Sequence, residues 1–312
     1  MIEQYRKAAV EAAMSTNSAV KAFPHWSQSI SKITGGRLSG KIIFDLGDHL
    51  RDIFTSSSQG NTRVGENTNS SVSAGGTAWE SLVCWYLNLC LIGSSAVVIK
   101  SNKDLLPRFI IDAIAVKYNN FKSNTEADLI YIAFPQGINW PEKNKREPFS
   151  SYLDRVISNA LSIKDVGVGI IQTKTNWNDN AQIPMLWDMV YSAKGFGRNV
   201  TVGSKGRSIE SFASFTYSFV TVPSQKNVDK EYKATSTSVH RVRNISGGNY
   251  WGLPTKNGVA DSLNEFINRN LITCIPGFDL IGWLDQQVGL LKSDYSYFGW
   301  HDHHASYFLS NT

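Results

Sequence analysis

Residues 127–134 read ADLIYIAF and residues 166–174 read VGVGIIQTK. Both are short apolar runs bounded by polar residues, the length of buried strands rather than helices. Along a strand, side chains alternate between the two faces. Asp128 therefore shares a face with Ile130, Ile132 and Phe134, while Gln172 and Lys174 continue the face of Val168 and Ile170. The second run also carries small residues, Gly167 and Gly169, that let a neighbour approach closely.

Outward from these strands, helical and strand patterns alternate. Residues 2–22 read as an Ala-rich helix, and Ile42 to Phe54 as a shorter one with an apolar stripe. Residues 55–76, TSSSQGNTRVGENTNSSVSAGG, carry almost nothing apolar and read as a long mobile loop. Thr77, with Glu80 three residues on, matches a capping box opening a buried helix over 77–92. AVVIK (96–100) is a short strand, and amphipathic helices are expected at 105–121, 150–161 and 181–193, the last after a polar turn at 175–180. This alternation predicts an α/β fold, a mixed central β-sheet flanked by helices. After residue 194 the pattern becomes strand-like at Ser211–Pro223 and Tyr232–Asn244, a β-rich C-terminal elaboration, with a helix at 261–270. The organisation read is 1–76, 77–193 and 194–312 within one integrated domain.

Composition narrows the function classes. The 312 residues are 42% hydrophobic and 18% charged, which excludes a disordered chain. No run approaches the roughly 18 apolar residues of a membrane span, and the N-terminus lacks a signal peptide's apolar core. Three cysteines, Cys84, Cys90 and Cys274, fit neither a disulfide framework nor a zinc site, so a reduced, cytoplasmic protein is expected. The net charge of +5 is compatible with a polyanion partner. Residues 194–256 alone hold ten Lys and Arg against three acids, a net of +7.

Taken singly, the polar residues near the apolar runs have ordinary explanations. Glu80 leads the apolar face of Val83, Cys84 and Leu87 and suits a helix cap; Asp128 suits a strand end, where an ionised carboxylate starting a buried strand is costly unless paired or metal-bound. Lys174 can extend to solvent. Together they form a pattern. A helix contributes Glu80, a strand Asp128, and a strand about 40 residues later an amide and an amine one residue apart.

Through WES (79–81), EADLIYI (126–132) and IIQTK (170–174), the segment from Thr77 to Ala193 resembles the PD-(D/E)XK nuclease superfamily, and within it the type II restriction endonucleases. It departs from the family pattern at Ala127, where Pro is usual, and at Gln172, where an acid is usual. The resemblance implies catalytic residues Glu80, Asp128, Gln172 and Lys174. It implies Mg²⁺ as cofactor, held by Asp128, the Gln172 side-chain oxygen and the Thr173 main-chain carbonyl, with Lys174 orienting or activating the attacking water. Glu80 would hold a metal-bound water or a second metal from farther out. It further implies sequence-specific cleavage of double-stranded DNA in a prokaryotic cytoplasm. A repair or recombination nuclease of the same fold and a non-catalytic DNA-binding protein are the alternatives.

Candidate DNA contacts follow from residue type. Arg241 and Arg243 alternate on an expected strand, and arginine forks read guanine. Lys205 and Arg207 sit in the basic segment, Asn176 and Asn178 directly follow the catalytic strand, and Arg63 lies in the Ser/Gly/Asn loop. The cluster His301, Asp302, His303, His304 looks like a metal site but reads as polar residues on the surface. Cutting both strands with one site per chain implies a homodimer on a palindromic sequence.

Overall fold

The computed structural model describes residues 1–57, 69–119, 121–123, 127–159, 161–175, 200–222 and 233–300. Arg63, Asn176, Asn178, the helix expected at 181–193 and the 301–304 cluster lie outside them. Six strands form the main sheet: β1 (Ala96–Lys100), β4 (Leu129–Ala133), β5 (Gly167–Lys174), β7 (Ser214–Thr221), β8 (Gly248–Trp251) and β9 (Asp261–Ser262), hydrogen-bonded in that order. β1, β4 and β5 pair antiparallel, and β5, β7, β8 and β9 parallel, so the sheet is mixed. A second, antiparallel sheet has the order β3 (Phe121–Ser123), β2 (Val116–Tyr118), β6 (Val200–Val202).

The period-2 alternation of the strands sorts them onto two cores. Val98, Leu129, Tyr131, Ile171 and Val220 face one apolar cluster, and Ile99, Ile130, Ile132, Val168, Ile170 and Phe219 the other. Helices cover both faces, so the fold is α/β in three layers. On the first face α5 (Asn69–Cys90) is the central element: from Leu82 to Cys90 every side chain is buried. A helix apolar all round needs neighbours on every side. Here they are α1 (Ile2–Met14), α2 (Asn17–Thr34), α4 (Leu50–Thr55) and the sheet. On the second face lie α6 (Arg108–Ala113), α7 (Phe149–Asn159) and α8 (Thr237–Val242).

Gly169 is where the close approach expected of β5 occurs. It lies opposite Tyr131, whose ring passes over it, and the Tyr131 hydroxyl reaches Thr216 Oγ1 on β7 at 2.6 Å. A Cβ on Gly169 would overlap that ring.

Several expected elements differ. The 2–22 helix is broken because Thr16 turns extended and its hydroxyl caps α2. The 42–54 helix is α3 (Gly40–Asp45) and α4 joined by a 3-10 turn at Leu46–His49. α5 begins at Asn69, so Thr77 is interior to it and the capping box does not form. Burial of the following apolar turns carries the poorly helical Ser/Gly run 69–76 into the helix. The 105–121 helix ends at Ala113, and Val116 to Tyr118 pair as a strand instead. Tyr232–Asn244 does not form a strand in its described residues, 233–244. Val239 and Val242, three apart, are buried on one side of α8. At 261–270, β9 precedes a shorter helix α9 (Glu265–Asn270), and α10 (Leu280–Gln287) follows. The strands after residue 213 extend the main sheet.

Candidate active site

The site is built by strand register. β4 and β5 pair with Ile130 opposite Ile170 and Leu129 opposite Ile171, so the next step sets Asp128 opposite Gln172. The Asp128 Oδ2 atom accepts three hydrogen bonds: from Gln172 Nε2 at 2.5 Å, from the Thr173 main-chain N–H at 2.8 Å and from Thr173 Oγ1 at 3.2 Å. Oδ1 accepts none among the described residues. On the far side, the buried Tyr217 hydroxyl of β7 donates to Gln172 Oε1 at 3.1 Å. An unbroken line, Tyr217–Gln172–Asp128, thus crosses three adjacent strands. Lys174 ends β5 on the same face, half-buried, and its ammonium makes no hydrogen bond or ion pair among the described residues.

The other half of the site comes from α5 and β1. Glu80, at the middle of α5, forms an ion pair with Lys100, the last residue of β1, at 3.0 Å. Lys100 Nζ also donates to the Thr77 carbonyl at 3.2 Å and to Ser81 Oγ at 3.4 Å. Glu80 and Lys174 both act electrostatically on Asp128. Burial pushes the Asp128 carboxyl up to about 6; Lys174 and the Thr173 N–H oppose this shift and Glu80 adds to it. Burial likewise raises the Tyr217 hydroxyl, helped by the Asp128 charge. Cys84, on the α5 face toward Lys100, is pushed up to about 12 by burial and so stays a thiol.

The structure therefore brings together Glu80, Asp128, Gln172, Thr173 and Lys174, and adds Lys100 and Tyr217, which the sequence reading did not single out. For Lys100 a signal was present: AVVIK, like VGVGIIQTK, is an apolar strand ending in lysine. Tyr217 had none, because only the β5–β7 register brings it beside Gln172.

The donor set suits a hard cation. It offers a carboxylate with one oxygen unengaged among the described residues, an amide and a main-chain carbonyl, all oxygen chemistry. No group of three His, Cys, Asp or Glu side chains is gathered among the described residues. The Gln172 amide presents its nitrogen to Asp128 and its oxygen to Tyr217. Offering the oxygen to a cation beside Asp128 requires the amide to turn over, and the tyrosine hydroxyl can then accept from the nitrogen.

The basic candidates lie elsewhere. Lys205, in the turn after β6, pairs with Asp112 at 3.2 Å, and the Arg207 guanidinium lies 6.0 Å from the centre of the Phe109 ring. Arg241 and Arg243 are exposed, Arg241 on α8 and Arg243 at its C-cap. Among the described residues no helix is long and apolar enough to cross a membrane. No known family model matches the chain, and no curated protein is detectably similar in sequence.

Proposed function

We propose that the chain is a Mg²⁺-dependent endonuclease that cuts double-stranded DNA at specific sequences, as type II restriction endonucleases do. The observation that carries this reading is the cross-strand pair Asp128–Gln172, with Lys174 two residues on at the same end of the sheet. The order in the main sheet agrees with a PD-(D/E)XK core: after the buried helix bearing Glu80 come three antiparallel strands, β1, β4 and β5, with α7 between the last two, and then β7 parallel to the third.

In this reading Asp128 anchors the cation, and the Gln172 carbonyl oxygen and Thr173 main-chain carbonyl complete the protein's share. Bound there, Mg²⁺ supplies a Lewis acid and offsets charge at the scissile phosphate. Lys174, with no partner for its ammonium among the described residues, orients the attacking water and balances the charge that grows on the phosphate in the transition state. Glu80 orients water from farther out. Two chains acting together on a palindrome would cut both strands. The second reading, a DNA-binding protein without catalysis, is favoured by one observation: the Gln172 oxygen is engaged by Tyr217 rather than turned toward Asp128.

Incubation of plasmid and genomic DNA with the protein and Mg²⁺ separates these readings. Discrete fragments with uniform ends are expected. Structure-dependent nicking would indicate a repair nuclease, and a gel shift without cleavage a binding protein. Lys174→Ala is expected to lower the cleavage rate by on the order of a thousandfold while leaving DNA affinity within about twofold, as for a group acting in the transition state. Wild-type rates in that variant would remove Lys174 from the mechanism.

A further inference from the structure

Lys100 is placed where a two-cation site would need a free carboxylate. Its ammonium is held by three acceptors on one stretch of α5: the Glu80 carboxylate at 3.0 Å, the Thr77 carbonyl at 3.2 Å and Ser81 Oγ at 3.4 Å. The Lys100 side chain is 17% exposed and that of Glu80 23%, so the pair is largely shielded from water. Ser81 is itself fixed, donating to the Ala13 carbonyl of α1 at 2.8 Å. The ammonium therefore sits in a prepared seat.

If Glu80 left the pair for a cation, the ammonium would keep only two neutral acceptors. Stranding a shielded charge in this way is costly. The charges around the site also balance: Asp128 and Glu80 against Lys100 and Lys174, with Gln172 neutral. Two bridged divalent cations would bring four positive charges to two carboxylates, one of them already neutralised.

We propose that Lys100 is a positioning residue that keeps Glu80 out of direct cation ligation, so that each chain takes up one divalent cation, through Asp128. This rests on the nuclease reading above, and it makes Glu80 a holder of water rather than a metal ligand.

The test is Mn²⁺ uptake by the full chain without DNA, followed by calorimetry and by the loss of the free-ion paramagnetic resonance signal. Wild type is expected to bind one Mn²⁺ per chain, and Asp128→Ala to lose it. Glu80→Gln should leave the affinity within about twofold. Lys100→Met frees the Glu80 charge, so affinity should tighten by on the order of tenfold, and the double variant Lys100→Met/Glu80→Gln should lose that gain. Should Lys100→Met fail to fold, Lys100→Arg keeps the cation and is expected to bind Mn²⁺ like wild type, with Glu80→Gln still silent beside it. Two ions per wild-type chain, or a tenfold loss on Glu80→Gln alone, would overturn the role of Lys100 while sparing the metal site. A wild type that binds no Mn²⁺, or binds it undiminished in Asp128→Ala, would overturn the nuclease reading and this inference with it.

Discussion

Among the described residues, Asp128 is the carboxylate whose environment most departs from that of an ordinary surface acid. Burial raises its carboxyl to about 6, from the model-compound value of 3.8. Because the folded-state value is the higher one, the folded protein holds a proton that the unfolded chain has released anywhere between these two values. The resulting stabilisation is fully present below pH 3.8 and is lost as pH rises through about 6. This is opposite in sign to that of a salt-bridged aspartate. Asp128→Asn keeps an oxygen for the Thr173 N–H and has no proton to lose. In the metal-free protein it should therefore be the more stable form at pH 7, by about 1–3 kcal/mol. The advantage should shrink toward pH 4. Chemical denaturation of both proteins at stepped pH measures this difference, and a constant difference would mean that Asp128 is not desolvated. If Asp128 anchors Mg²⁺ as proposed, saturating Mg²⁺ should reverse the order at pH 7.

Among the elements, the strands β1, β4 and β5 and the helix α7 were legible, and the six-residue helices were not. AVVIK, ADLIYIAF and VGVGIIQTK could be read almost to the residue, because a strand covered on both faces must be apolar at nearly every position. Asp128, Gln172 and Lys174 stand out against that background, which is why they could be picked out as candidates. Residues 233–244 misled because Arg241, Val242 and Arg243 alternate in polarity, while the spacing that decided the structure is Val239 to Val242. Tyr217 depends on a pairing between distant segments that no local pattern encodes, and for Lys100 the lysine ending AVVIK was visible but its Glu80 partner on α5 was not. The tightest of these strand contacts is at Gly169, under the Tyr131 ring. Gly169→Ala would push that ring off its hydrogen bond with Thr216 and strain the packing of β4, β5 and β7, the strands that farther along carry Asp128, Gln172 and Tyr217. A loss of about 1–3 kcal/mol of stability is expected, the usual cost of overpacking. Since the displaced strands are those bearing the site, the Mn²⁺ affinity should fall with it. Ala introduced at Gly137, where a Cβ meets nothing within 4 Å, is the control for added volume, although its positive φ adds some strain.

At the scale of the molecule, the +7 segment 194–256 does not stand apart as a separate β-unit. Its described part supplies β7 and β8 to the main sheet and places α8 on the second face, with Val239 and Val242 inward and His240, Arg241 and Arg243 exposed. That changes what the two arginines can do. On a strand, residues two apart point the same way and would enter one groove together. On a helix they are about 200° apart, and Arg243 keeps helical backbone angles at the C-cap. One DNA groove can therefore take one of them, leaving the other to a phosphate or to solvent. Arg241→Ala and Arg243→Ala should accordingly separate. One should cost about 1–3 kcal/mol on cognate DNA and little on random duplex, as for a fork lost from a guanine. The other should weaken both duplexes alike and lower the slope of affinity against salt by about one ion. Titrations of both variants on cognate and random duplexes at several salt concentrations measure this. Equal and sequence-specific losses in the two variants would mean that α8 unwinds on DNA into the extended form its alternation suggests. Equal losses that ignore sequence would restrict α8 to phosphate contact and leave base reading to another part of the chain.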